Sequence, residues 1–236
     1  GYAAGKASYN DVEEVPQSLL DSLRNDAVLK ARNADLIIVI GGLNKNRFQD
    51  CEDGDRQSYS LPFGQVELID ELLEVNPHVV LALISGNAVE LPWIDRIPAV
   101  LQTWYLGSMG GYALADVLSG KINPSGKLPF SFPVRLEDCA AHAFDSLCFP
   151  GDGNQVVYKE DIFVGYRWHD TKGVKALFPF GHGLSYTTFK YGKPLLSAPQ
   201  LDRNENLTVT VPVTNTGKVK GKEVVQLYIG CLLYTS

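Results

Sequence analysis

The apolar residues of this chain fall into three textures, and each predicts its own kind of structure. The first runs as far as Gly120 and mixes helical periods with short continuous runs. In SLLDSLRNDAVLKARNAD, from Ser18 to Asp35, Leu19, Leu20, Leu23, Val28 and Leu29 recur at roughly helical spacing, which predicts a helix covering a sheet. Leu36 to Ile40 is continuous, mostly β-branched and of strand length, the pattern of a strand buried on both faces of a parallel sheet. Gly41 and Gly42 end it. Ser60 is placed to cap, and Pro62 to open, a second helix with Val66, Ile69, Leu72 and Leu73 on its inner face, stopped at Asn76 and Pro77. His78 to Ile84 predicts a second buried strand, SGNAVELPW another strand-end loop, Ala99 to Tyr105 a third strand, and Ser108 to Leu118 a third helix with Gly120 as a left-handed stop. Alternating helices and strands of this kind predict a doubly wound, mostly parallel α/β layer structure. Residues 1–17 are small, polar and aperiodic, and read as a loop.

The second texture begins at Lys121. INPSGKLPFSFP, DIFVGYRWHD and LFPFGHGLSYTTF are rich in Gly, Pro and aromatic residues without a helical period, which predicts extended connecting chain held by aromatic anchors. The third begins near Tyr191, where LTVTVPVTNTGKVKGKEVVQLYI alternates apolar and polar positions around the turn signal NTGK. That is an antiparallel meander, and two or three strands are too few to close a sandwich core, so this part is expected to be the start of a truncated all-β domain. The last six residues, CLLYTS, break the alternation and are expected to be adapter-derived. Gly1 opens the chain without Met or a signal pattern, so the chain is expected to be a fragment at both ends.

Composition narrows the partners. With 236 residues, 45% apolar and 20% charged, the chain is ordinary globular protein, enough for one large or two modest domains. The net charge of -6 and the scattered positive residues argue against nucleic acid and against a polybasic membrane patch, whereas neutral ligands such as sugars fit. No apolar run approaches membrane-spanning length. Cys51, Cys139, Cys148 and Cys231 have neither C-x-x-C spacing nor paired His residues, so they are read as free thiols, and neither a metal nor an organic cofactor is implied.

The candidate chemistry lies between the first strand and the second helix. NKNRFQDCEDGDRQSYS is long and charged for an α/β connection, and open α/β sheets keep their chemistry in loops at the carboxyl ends of strands. Glu52 is the leading carboxylate, with Asp50 the runner-up acid and Asp53 and Asp55 beside them. By residue type alone this run is equally a solvated acidic face. Arg56 fits an ion pair with Asp55 or another loop acid better than a substrate contact. Cys51 lacks a base to activate it. His182, between two glycines, reads as a turn residue bonding backbone, and Trp93, Trp104, Trp168 and the neighbouring Tyr105 read as core more readily than as a sugar platform. There is no G-x-G-x-x-G after the first strand, no phosphate loop and no G-x-S-x-G elbow.

Five segments taken together, GLNKNRFQDCEDGDRQSYSLPFGQ, ISGNAVELPW, KINPSGKLPFSFP, VGYRWHD and LFPFGHGLSYTTF, resemble the carboxyl-terminal half of glycoside hydrolase family 3, in its β-glucosidase and β-xylosidase branch. The resemblance implies an α/β sandwich domain over 1–136, truncated at its start, an aromatic-rich connecting segment over 137–190, and the beginning of a fibronectin type III-like, immunoglobulin-like β-sandwich over 191–230. It implies a retaining, exo-acting β-glycosidase that removes terminal β-D-glucosyl or β-xylosyl residues, with an amino-terminal barrel in cis carrying the nucleophilic Asp. The family's acid/base Glu lies in an E-G-x-D-R loop, which Glu52, Asp55 and Arg56 match, while Asp53 takes the usual Gly position and Gly54 follows it. The chain alone is expected to be inactive, and members of this branch are commonly periplasmic or secreted. A module that only binds carbohydrate or stabilises a partner is the rival expectation, and it predicts that Glu52 is replaceable.

Overall fold

The computed structural model describes residues 15–46, 48–52, 54, 56–200, 202 and 204–230. Asp53, Asp55, the segment 231–236 and most of the opening loop therefore lie outside the described residues. A three-stranded parallel sheet, in the order β1-β2-β3, is built from β1 (Ile37–Gly42), β2 (Val79–Ile84) and β3 (Ala99–Gln102). The register pairs Val39 with Leu81 and Ala82 with Leu101, so all three strands end on the same side of the molecule. Helices α1 (Gln17–Ala31) and α2 (Gln65–Val75) pack on each other and on one face of the sheet. The core there joins Leu68, Ile69 and Leu72 of α2 to Val79, Leu81 and Leu83 of β2, with Val89, Leu91, Trp93 and Ile97 closing it from the loop between β2 and β3.

Three sequence expectations change. The apolar strand β1 is not buried on both faces: Ile37 and Val39 face the core, but Ile38 and Ile40 are 46% and 64% exposed. Both covering helices lie on one face and β1 is the sheet's edge among the described residues, so alternate residues of a β-branched run are left outside. Likewise α1 reaches the core through Ala27, Val28 and Ala31, while Leu19 and Leu29 stay exposed. Ser60 does not cap α2. The helix starts after Gly64, in left-handed conformation at φ 67°, and its first residue, Gln65, reaches back to the end of β1. There Gly42 N–H donates to Gln65 Oε1 at 2.7 Å, and Gln65 Nε2 donates to the Gly42 and Pro62 carbonyls, each at 2.9 Å. Asn76 does end the helix, and its buried amide donates to the carbonyls of Ala31 and Ala34, which ties α2 to the exit of α1.

Beyond β3, α3 (Gly110–Leu118) ends before Gly120, whose φ of 77° is the left-handed stop the sequence suggests. The aromatic segment is anchored as its composition predicts: Phe130 stacks on Phe132, Trp104 meets Phe130 edge-on, and Phe132 meets Phe178. Phe132 lies in β4 (Phe132–Pro133), which pairs antiparallel with β5 (Ala176–Phe178). Between them lies a helix the sequence hides, α4 (Tyr166–Lys172). Two turns that bury only Trp168 are too short to show a period, and Gly165 and Gly173, both at positive φ, bracket them. In the third texture, β6 (Phe189–Tyr191) pairs with β9 (Val213–Asn215), and β7 (Leu195–Leu196) with β8 (Val209–Thr210), all antiparallel. The run EVVQLYI joins no ladder among the described residues, and Leu227 and Ile229 are exposed. Lys127 and Glu223, both largely buried and 3.5 Å apart, link this part to the aromatic-rich connecting chain.

Candidate active site

Glu52 is exposed at a turn in the loop that leaves β1, on the side where the three parallel strands all end. The loop is a folded object. Leu43 N–H still pairs with the Ile84 carbonyl at 2.7 Å, continuing the ladder past β1. Asn44 then organises a reversal: its carbonyl accepts from Asp50 N–H at 3.0 Å and its side chain from Asn46 N–H at 2.8 Å. Phe48 N–H donates to the Gly54 carbonyl at 3.0 Å, closing the turn that carries Glu52. Phe48 adopts φ 65°, and Trp104, just beyond β3, φ 56°. A left-handed bulky residue costs about 1–3 kcal/mol, and here two of them flank one strand-end surface.

Asp50 and Arg56 fasten the loop to its neighbours. Asp50 Oδ2 accepts from Gly86 N–H at 2.5 Å and from the Tyr105 hydroxyl at 2.8 Å, and Oδ1 accepts from Asn87 Nδ2 at 3.2 Å. Burial, then the hydrogen bond to Asp50, pushes the Tyr105 phenol up, so it remains a donor. Arg56 Nη2 donates to the Ala88 carbonyl at 2.7 Å, and its guanidinium lies over the Tyr59 ring, whose hydroxyl donates to the Pro133 carbonyl at 2.8 Å. Burial lowers the Arg56 pKa against the opposing attraction of Asp50. The anchor of Arg56 is therefore a backbone carbonyl, not a carboxylate of a described residue. Asp55, the partner expected from the sequence, lies outside the described residues.

The other sequence candidates separate cleanly. Trp93 and Trp168 are core, Trp104 is only half-buried, and His182 lies over Phe178 while its N–H closes a turn on the Pro179 carbonyl and its carbonyl accepts from Leu128 N–H. Burial, then Lys127, lowers the His182 pKa. Cys51, Cys139 and Cys148 are free thiols. Among the described residues no group of His, Cys, Asp and Glu could hold a metal ion, and no helix is long and apolar enough to cross a membrane. Sequence reasoning missed Gly86 and Asn87 as parts of the site, although it read SGNAVELPW as a strand-end loop. It placed Tyr105 at the end of the third strand, as core or sugar platform, whereas β3 ends at Gln102 and leaves Tyr105 exposed in the loop beyond.

Removing Arg56 tests its anchoring role. Arg56→Leu is expected to cost about 1–2 kcal/mol of stability, the value of a charge-assisted hydrogen bond less the burial cost it carries. Urea unfolding measures it, and an unmoved midpoint would show that the Ala88 contact contributes nothing.

The fold and site together define a parallel α/β domain whose three strand-end loops are stitched to one another. Residues 3–166 match the glycosyl hydrolase family 3 C-terminal domain, and the chain belongs to that family. It is 61% identical over 230 residues to beta-glucosidase BoGH3A of Bacteroides ovatus, covering 98% of this chain and 31% of the relative. It is 44% identical over 209 residues to thermostable beta-glucosidase B of Acetivibrio thermocellus, covering 89% of this chain and 27% of that protein. The crystal structure of DesR, a beta-glucosidase from Streptomyces venezuelae in complex with D-glucose, superposes with a TM-score of 0.78 at 41% identity, over 86% of this chain and 25% of DesR. The chain thus spans under a third of the length of the curated relatives it matches.

Proposed function

We propose that this chain is the acid/base-bearing part of a retaining, exo-acting β-glucosidase, and that Glu52 is the general acid/base. The observation that carries this reading is the placement of Glu52, exposed on a braced turn where three parallel strands end. Retaining hydrolysis needs two carboxyl groups about 5–5.5 Å apart across the anomeric carbon. Glu52 supplies one, and a domain joined to this chain supplies the other as nucleophile. In the first step the nucleophile attacks the anomeric carbon while Glu52 gives its proton to the departing glycosidic oxygen. In the second, Glu52 takes a proton from the water that releases the sugar with its β configuration retained.

The names of the relatives favour a terminal β-D-glucosyl substrate over a β-xylosyl one. The domain that carries the second carboxylate is this chain's partner, and without it no turnover is expected. The test joins the two domains and compares aryl β-glucoside with aryl β-xyloside while NMR follows the anomer first released. Faster turnover of the glucoside with retention is expected. Preference for the xyloside would move the reading to a β-xylosidase, and inversion would remove the two-step mechanism altogether.

A further inference from the structure

Asp50, two residues before Glu52, is the best-connected acid among the described residues of the loop, and it is not needed for either proton transfer. Among the described residues its three partners all donate to it, two from the loop after β2 and one from the loop after β3. Through its own backbone it belongs to the turn, because Asp50 N–H is bonded to the Asn44 carbonyl. We propose that Asp50 is the positioning residue of the acid/base: it clamps the turn bearing Glu52 to the two neighbouring strand-end loops and sets where the Glu52 carboxyl stands. The proposal rests on Glu52 being the acid/base.

Gly86 gives the clamp an independent signature. A Cβ added there would stand 3.2 Å from Asp50 Oδ2 and 3.3 Å from Tyr105 Cε2, tighter than ordinary contact. The backbone N–H reaches the carboxylate because no side chain intervenes. Tyr105 closes the other side of the same oxygen, with its ring against Gly86 and its hydroxyl on Asp50. Two peptide units along the backbone separate this fixed point from the residue that must meet a glycosidic oxygen. A displacement of an ångström at such a group is enough to cost about 100-fold in rate.

The clamp is tested in the enzyme joined to its nucleophile-bearing domain, with Asp50→Asn, Tyr105→Phe and Gly86→Ala each assayed on aryl β-glucosides of graded leaving-group basicity. Poor leaving groups need the proton and good ones do not, so a misplaced acid steepens the dependence on leaving group, whereas a merely structural role lowers the melting temperature and leaves the slope alone. Asp50→Asn is expected to lose about 10- to 100-fold on poor leaving groups and about threefold or less on dinitrophenyl glucoside. Tyr105→Phe and Gly86→Ala should steepen the slope less, and Tyr105→Phe keeps the test open if Asp50→Asn does not fold. Slopes equal to the parent's in all three, with Glu52→Ala behaving as an enzyme without its acid, would overturn the clamp alone. A fully active Glu52→Ala beside an Asp50→Ala that azide converts to a glucosyl azide producer would make Asp50 the acid and overturn the reading of Glu52 with it.

Discussion

Glu52→Ala, in the chain joined to its nucleophile-bearing domain, is expected to lower kcat/KM for a β-glucoside with a poor leaving group by about 10²–10⁴-fold, the usual worth of general acid catalysis. A dinitrophenyl leaving group needs no proton, so glycosylation by that substrate should persist, and the glycosyl-enzyme should then accumulate for want of a base to activate water. Azide attacks without a base. It should restore turnover on the activated substrate and yield β-glucosyl azide, and the wild type should make none. The variant is expected to fold normally, because Glu52 is exposed at its turn and the fastening is done by Asp50 and Arg56. Unchanged kinetics on every substrate would end the assignment and favour a module that only binds or stabilises.

The largest structural effect is expected at a residue with no side chain. Gly42 leaves β1 with φ 139°, and a Cβ there would stand 2.7 Å from the Ile84 carbonyl carbon, closer still to its oxygen. Neither obstacle can move: the Ile84 backbone is part of the sheet, and the Gly42 amide and carbonyl are both held by Gln65. Adding the cost of an unfavourable φ to that of overpacking, Gly42→Ala should destabilise by about 3–5 kcal/mol. Because Gly42 is the root of the loop, the damage should also swing Glu52 away, so activity per folded molecule should fall as well. Chemical denaturation and an active-site titration measure the two losses. A midpoint within error of the parent's would show that the strand end relaxes in ways this packing does not allow.

How much of this was legible beforehand depends on the range of the interaction. The strands at Leu36 and His78 announced themselves because a buried parallel strand needs a continuous apolar run, and the long polar insertion between β1 and α2 pointed to the candidate site. The exposure of Ile38 and Ile40 was not legible, since a β-branched run looks the same whether one face or both are covered. Helix α4 was hidden by its length. The clamp was invisible for a different reason: Gly86, Asn87 and Tyr105 lie 36, 37 and 55 positions from Asp50, and only the parallel register of β1, β2 and β3 brings their loops together. Asp50 could be singled out as an acid from sequence, but its work depends on donors no local pattern contains. Arg56 was legible as a loop anchor and its partner was not, because the Ala88 carbonyl leaves no mark in a sequence.

The bare flank of β1 has a consequence for the substance in a test tube. Among the described residues β1 is an edge strand with Ile38 and Ile40 on an uncovered face, so its outer backbone donors and acceptors stand open beside a greasy strip. Wherever that edge is left open, one molecule can lengthen its sheet with the strand of another, and concentration becomes the enemy of a clear solution. The same isoleucines that make a good strand inside a larger body make a poor surface for a piece handled alone.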